Sequence, residues 1–278
     1  MNVASAGNGP PLLLLHGYPQ THLAWHRLAP VLAREFTVVA PDLRGYGDST
    51  LTGPESGPPA MAKRALALDQ IAVMRSLGFE RFAIMGHDRG ARVAYRLALD
   101  HPEHVSALVS LTVIPTLEMW QSTTKAFAMG AYHWFLFAQP FDLPERLLGA
   151  DPGYFFDWTL RKMARYPERL DPAAVAAYRA AFLRAEVRHA MMNDYRAGAK
   201  LDEEHDRTDR DQGRHLACPV CVTWESGRYE SGETPIEIWR HWADDVSGGP
   251  IEAGHLQAEE APDDVLAIAL PFLRMHAA

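Results

Sequence analysis

Apolar residues in this chain come in short unbroken runs separated by stretches of helical periodicity. Leu12-Leu13-Leu14-Leu15, Phe36-Thr37-Val38-Val39-Ala40, Phe82-Ala83-Ile84-Met85 and Val105-Ser106-Ala107-Leu108-Val109-Ser110-Leu111 are runs of this kind. Apolar runs without polar alternation fit strands covered on both faces, as in a parallel sheet. Between them the spacing predicts helices over residues 25–33, 61–77 and 91–99, the second closed by Gly78 and the third stopped before Pro102. Strand and helix in alternation imply an α/β fold, a mostly parallel sheet with helices on both faces. Near Pro115 the rhythm changes. Residues 116–212 carry aromatic-rich helical segments, such as Tyr132-His133-Trp134-Phe135-Leu136-Phe137, punctuated by Pro140, Pro144, Pro152, Pro167 and Pro172, with no buried strand among them. Strand character returns over residues 218–224 and at Pro250-Ile251-Glu252, before a helix over residues 263–274. The expected organisation is a core over residues 1–115, a helical cap over 116–212, and the second part of the core over 213–278. Residues 52–59, with their Gly and Pro, read as a surface loop.

Composition narrows the possibilities. A chain of 278 residues suits one such core with an insertion, and 47% hydrophobic with 22% charged residues supports a sizeable buried interior. The net charge of -8 repels nucleic acid and anionic membranes, and no basic patch is segregated along the chain. Cys218 and Cys221 are spaced C-x-x-C, a redox or half-zinc spacing, but they sit in the apolar run Cys218-Pro219-Val220-Cys221-Val222-Thr223-Trp224 with no second pair. They read as buried thiols in a strand, and two cysteines argue for a reducing compartment. The run at Leu12 is too short for a signal peptide and lacks a basic leader, and no apolar stretch approaches membrane-spanning length. A cytoplasmic enzyme is expected. No metal or organic cofactor is expected, because no His/Asp/Glu cluster has ligand spacing and no phosphate-loop pattern occurs.

The candidate chemistry begins at Gly86-His87-Asp88-Arg89-Gly90, between a predicted strand and a predicted helix. G-x-D-x-G there is the nucleophile-elbow pattern with Asp in place of Ser. A simple helix-capping role for Asp88 is the competing reading. His16-Gly17-Tyr18-Pro19 follows the first buried strand, where this architecture places one oxyanion N–H, so the backbone amides of Tyr18 and Arg89 become the candidate oxyanion donors. Gly254-His255 follows the last strand, in the order nucleophile then histidine. His255 alone is one of 13 histidines, but the three placements together point to a catalytic set. An Asp nucleophile restricts the reaction. Attack on an acyl carbon yields only an anhydride, whereas attack on an sp3 carbon yields an alkyl ester that activated water can hydrolyse. Halide displacement or epoxide opening is therefore favoured.

With these motifs on one chain, the sequence resembles the fluoroacetate dehalogenases, the haloacetate-cleaving branch of the α/β hydrolases. His16-Gly17-Tyr18-Pro19-Gln20-Thr21 and Pro41-Asp42-Leu43-Arg44-Gly45-Tyr46-Gly47-Asp48-Ser49 are widespread among α/β hydrolases. Gly86-His87-Asp88-Arg89-Gly90-Ala91-Arg92, His133-Trp134 and Asp194-Tyr195-Arg196-Ala197-Gly198 are more particular. The resemblance implies an α/β-hydrolase fold with an inserted helical cap, and a homodimer acting on small anionic halocarboxylates. It implies that Asp88 attacks the α-carbon, Arg89 and Arg92 grip the substrate carboxylate, His133, Trp134 and Tyr195 receive the halide, and His255 activates water. A rigid bidentate fork suits arginine to that grip. On local sequence alone, Arg92 reads as a solvated helix face, and His133 with Trp134 as an aromatic cap core.

Two departures stand out. The family carries an aspartate after the strand corresponding to Val105–Leu111, to support the catalytic histidine, and this chain has Thr112. A threonine accepts a hydrogen bond from an imidazole but cannot offset its positive charge. Glu225, where the family usually has Gly, is the candidate substitute acid, with Glu118 a weaker one. The second departure is the start: the first clear strand opens at Leu12, so the family's preceding hairpin is expected to be missing and a sheet edge unprotected. Two other functions remain open from the residues: an epoxide hydrolase using cap tyrosines Tyr132 and Tyr195, and a binding protein that keeps the pocket without turnover.

Overall fold

A computed structural model describes residues 1–50, 57–229 and 232–277. Seven strands form one sheet: β1 (Val3–Ala6), β2 (Pro11–Leu15), β3 (Thr37–Pro41), β4 (Phe82–His87), β5 (Val105–Leu111), β6 (Val220–Glu225) and β7 (Val246–Ile251). Their order is β1-β3-β2-β4-β5-β6-β7, and every pairing except β1 with β3 is parallel. The unbroken apolar runs have the expected cause. Leu13, Leu15, Ile84, Leu108 and Val222 face one core cluster, and Leu12, Leu14, Met85, Val109 and Cys221 face the other. Helices cover both clusters, so successive residues of a central strand have no solvent side. Cys218 and Cys221 are free, buried thiols.

The sheet edges depart from expectation. β1 pairs antiparallel with β3, from Val3 opposite Pro41 to Ala6 opposite Val38, so the β3 edge is covered. Its residues are exposed throughout and mostly small, which is why no apolar run announces it. β7 begins at Val246, earlier than its sequence signal, because Gly248, Gly249 and Pro250 are weak strand formers that an edge position tolerates. Two predicted helices are broken. Pro30 starts a short helix, Ala29–Leu32, where the pattern suggested continuity from residue 25. Ala62 is extended, with ψ 143°, and separates Pro58–Met61 from Lys63–Ser76, while the Lys63 amide donates to Asp202 instead of to a helix carbonyl. Of the loop expected over residues 52–59, residues 52–56 lie outside the described residues, and Pro58 and Pro59 open that helical turn.

Between Leu111 and Val220 the chain is helical, from Thr116–Gln121 to Glu203–Asp211, and contains no strand. This is the cap. It is tied to the core by buried ion networks. Asp194 of the cap accepts from Arg89 Nε at 3.1 Å and from the Tyr46 hydroxyl at 2.8 Å, and pairs with Lys63. Arg96 of the core pairs with Asp206 at 2.6 Å and with Asp209. All these groups are buried, and a buried charge without a partner is costly. Among the described residues no helix is long and apolar enough to cross a membrane. Arg96→Ala strips Asp206 of its cation and should cost about 3–5 kcal/mol of stability, read from the urea midpoint; a change under about 1 kcal/mol would show that these charges are not buried in solution.

Candidate active site

Asp88 sits between β4 and the helix Arg89–Asp100, at φ 50° and ψ -117°. A non-glycine residue there is strained, and such strain persists only where its surroundings enforce it. Gly86 and Gly90 explain how the turn closes: a β-carbon on Gly86 would run into the Ala91 backbone, and one on Gly90 into the carbonyls of Leu15 and His16. The result lifts the Asp88 side chain above the carboxyl ends of β2, β4 and β5. No side-chain capping bond from Asp88 forms, which removes the capping reading. Its Oδ1 accepts the Tyr18 amide at 2.8 Å, and its Oδ2 lies 3.4 Å from His255 Nε2. Arg89 supplies the first amide of the following helix, one of the donors that such a helix leaves without an internal partner.

On its other side, His255 Nδ1 lies 3.5 Å from Glu225 Oε1, at the end of β6. Thr112 follows β5 and lines the same cavity, but its hydroxyl donates to the Leu111 carbonyl at 2.7 Å and makes no bond to the imidazole. Its φ of 65° is a second strained backbone position. Glu118 bonds instead to the Trp242 indole at 3.0 Å, away from His255. Thr112, at the family's acid position, makes no contact that supports the imidazole; Glu225 occupies that side of His255.

The electrostatics follow from this geometry. Burial alone would lower the His255 pKa, but contacts with Asp88 and Glu225 outweigh it and raise it to about 9. Burial would raise the Asp88 carboxyl, yet His255, His87 and Arg89 hold it well below the usual range. Glu225 is likewise held down at about 2, against burial, by His255 and Arg228. Burial pushes His133 and His87 down to about 4, so both rings are neutral at pH 7.

A cavity of about 880 Å³ opens beside Asp88, lined by Arg92, Thr112, His133, Trp134, Glu225 and His255 among others. Arg92 and Arg89 differ there. Arg92 lines the cavity, with Nη1 on Thr116 Oγ1 at 2.8 Å and Nε without a partner. It is buried, and among the described residues it has no carboxylate partner. The solvated-face reading of Arg92 therefore fails. Arg89 is committed to Asp194 and packs 4.4 Å from the Tyr195 ring centroid; only its Nη1 lacks a partner, and it does not line the cavity. Tyr195 packs against His133, at 5.6 Å between ring centroids, and Trp134, at 5.8 Å. Its hydroxyl is buried and has no hydrogen-bond partner, while Tyr132 pairs with Thr159 at 3.1 Å.

The family model for the alpha/beta hydrolase fold matches residues 10–201. The chain is an α/β hydrolase. It is similar to a fluoroacetate dehalogenase from Burkholderia sp., 38% identical over 275 residues, covering 98% of this chain and 90% of that protein. It is also similar to a soluble epoxide hydrolase from Corynebacterium sp. (strain C12), 32% identical over 277 residues, covering 98% and 93%. The hydrolase therefore belongs to the dehalogenase and epoxide hydrolase subfamily. Among solved structures, it is similar to a Pseudomonas aeruginosa protein provisionally assigned as an epoxide hydrolase. A Gln-to-Glu mutant of that protein matches with TM-score 0.95 and 57% identity over 99% of this chain and 91% of the other. A Thr-to-Asp mutant with bound MFA matches with TM-score 0.95 and 56% identity over 99% and 92%.

One residue of the hydrolase's site escapes the sequence reading. Arg228 lines the cavity and places Nη1 2.7 Å from Glu225 Oε1; the signal available was an acid, a glycine and an arginine within four residues after a strand. The charged state of His255 has a consequence for stability. Its folded pKa lies above the ordinary 6.5, so the folded hydrolase holds this proton more tightly than the unfolded chain does. The stabilisation is complete below about pH 6.5 and is lost as pH rises through about 9. Unfolding free energies from urea titration should fall across that window, and the fall should shrink in His255→Gln. Equal slopes in the two proteins would show that the imidazole is not held charged.

Proposed function

We propose that the hydrolase cleaves the carbon–halogen bond of a small halocarboxylate, haloacetate being the simplest, releasing halide and a 2-hydroxy acid. The observation that carries this reading is Arg92: a buried guanidinium lining the cavity beside Asp88, with no carboxylate partner among the described residues. A lone buried cation is costly, and a substrate carboxylate is the partner it lacks. It also reverses locally the field of a chain whose net charge is -8. The cavity volume lies in the range that encloses drug-sized ligands, so the preference for a small acid rests on Arg92 and not on shape.

The steps follow from the contacts. Asp88 Oδ2 attacks the α-carbon, and the carbon–halogen electron pair leaves with the halide. The neutral His133 ring, Trp134 and the unpartnered Tyr195 hydroxyl offer N–H and O–H donors to that developing charge. Esterification removes the negative charge of Asp88, so His255 loses one of the two carboxylates that raise its pKa and becomes able to act as a base. It takes a proton from water, which adds to the ester carbonyl carbon while Oδ1 rests on the Tyr18 amide. The acyl carbon–oxygen bond then breaks as the imidazolium gives its proton to the departing alkoxide, the hydroxy acid leaves, and the new Asp88 carboxyl regains its charge by releasing the water's second proton to solvent. Glu225 supports the imidazolium during this step.

Incubation with chloroacetate and fluoroacetate should release halide and glycolate. Neither appearing, even in a single turnover, would sink the reading. An epoxide substrate is the second reading, supported by the Corynebacterium relative and by the free Tyr195 hydroxyl; diol formation from a neutral epoxide without halide release from haloacetates would select it. Glu225→Gln should slow ester breakdown by about 10⁴, as neutralising a triad acid does, and trap a carboxymethyl adduct on Asp88 visible by intact mass. Arg92→Met should lower kcat/KM for haloacetate by about 10- to 100-fold, the loss of one charged hydrogen bond, while leaving neutral substrates unaffected.

A further inference from the structure

β6 ends at Glu225 and the chain turns immediately. The Ser226 amide bonds to the Ile251 carbonyl at 2.9 Å, and the Arg228 amide returns to the Glu225 carbonyl at 3.2 Å. Gly227, at φ 84°, supplies the left-handed residue this turn requires. The turn brings Arg228 Nη1 to 2.7 Å from Glu225 Oε1, the same oxygen that lies 3.5 Å from His255 Nδ1. A permanent cation and the imidazole thus share one carboxylate oxygen at the cavity wall.

The groups facing His255 come from several elements. Asp88 lies on Nε2 and Glu225 with Arg228 on the Nδ1 side. His87, with ring centroids 4.9 Å apart, donates to the His255 carbonyl, and His133 faces it from the cap. The His255 amide bonds to Met163 of the cap, and Arg92 lines the same cavity. His87 and His133 are neutral at pH 7. Once Asp88 is esterified, the charges left in contact around the imidazole are Glu225 and, through it, Arg228. An unshared carboxylate there would keep the imidazole protonated and useless as a base. A cation on the same oxygen offsets that field while the carboxylate still orients the ring.

We propose that Arg228 is a positioning residue for the ester-cleaving step: it fixes the Glu225 carboxylate by sharing Oε1 with His255 and keeps the imidazole neutral near pH 7, and so able to accept a proton from water. This rests on the hydrolytic reading above, but its first test needs no substrate. In Asp88→Asn, which mimics the uncharged ester, the His255 pKa is followed by NMR of isotope-labelled histidine. Adding Arg228→Met should raise it by about one unit, Arg228→Lys should restore it, and Glu225→Gln should shift it the opposite way. With Asp88 intact and chloroacetate as substrate, Arg228→Met should lower turnover at pH 7 about tenfold, with recovery as pH rises and little change in kcat/KM, because KM falls with kcat when only ester cleavage is slowed. A His255 pKa unchanged or lowered by Arg228→Met, in protein whose NMR spectrum remains folded, overturns the proposal whatever the substrate assay shows. A turnover loss that raised pH does not relieve also overturns it, by making Arg228 merely structural. Absence of halide release alongside the expected titration shifts would sink the substrate reading and leave the electrostatic role of Arg228 standing.

Discussion

A buried carboxylate at the tip of a strained turn makes demands on everything around it. Asp88 keeps its charge because the Tyr18 amide holds one oxygen and His255 lies against the other. Both must be delivered there by the sheet. Tyr18 arrives from the carboxyl end of β2, the neighbour of β4, and His255 from just beyond β7. The parallel register brings these carboxyl ends together, and the elbow glycines let the chain turn tightly enough to present Asp88 among them. Without that turn the charge would lie inside the sheet with no donor in reach, a cost of several kcal/mol.

The same demand orders the charges behind the site. Arg89 follows Asp88 directly, so a guanidinium is forced into the interior at the start of the helix. Asp194, with Lys63 and Tyr46 completing the set, absorbs it and docks the cap in doing so. One helical turn along, Arg92 enters the cavity wall with only neutral oxygens for company, those of Thr116 and Ile114. Two arginines three residues apart thus take opposite parts: one is satisfied by the protein and holds cap to core, the other faces the cavity with no ion-pair partner among the described residues. Trp134 packs near both, with Arg92 4.8 Å and Arg89 5.8 Å from its ring centroid, so the cap face over Asp88 is shaped by these cations.

The architecture was legible because it depends on local pattern. Continuous apolar runs announce strands buried on both faces, and β2, β4, β5 and β6 follow them. β1 was invisible because an exposed antiparallel edge strand needs pairing but not hydrophobicity. The positions of Asp88, His255 and the Tyr18 amide were readable from glycine placement and chain order, since tight turns leave composition signatures. The division of labour between Arg89 and Arg92 was not, because it is decided by Asp194, more than a hundred residues away. Arg228 escaped for a related reason: its meaning depends on which strand carries the acid.

That choice of strand is a matter of register. Leu111 of β5 pairs with Thr223 of β6, and the Thr112 amide continues the ladder to the Thr223 carbonyl at 2.8 Å. Both strands therefore end on the same rim, one on each side of the space that the His255 ring must enter. An acid can reach Nδ1 from either end, but not on equal terms. Thr112 stands directly after its strand in a left-handed conformation, its hydroxyl turned back to Leu111. Glu225 ends β6 two residues beyond Thr223 and carries one more methylene than an aspartate would, so its carboxylate extends to the imidazole from beyond the pairing with β5. A longer, more exposed lever is harder to hold, since its rotamers are free unless something fixes them. Arg228, seated on its Oε1 by the turn that follows, supplies that restraint and joins two features of the chain that would otherwise look unrelated: an acid absent after β5, and an arginine placed three residues beyond the end of β6.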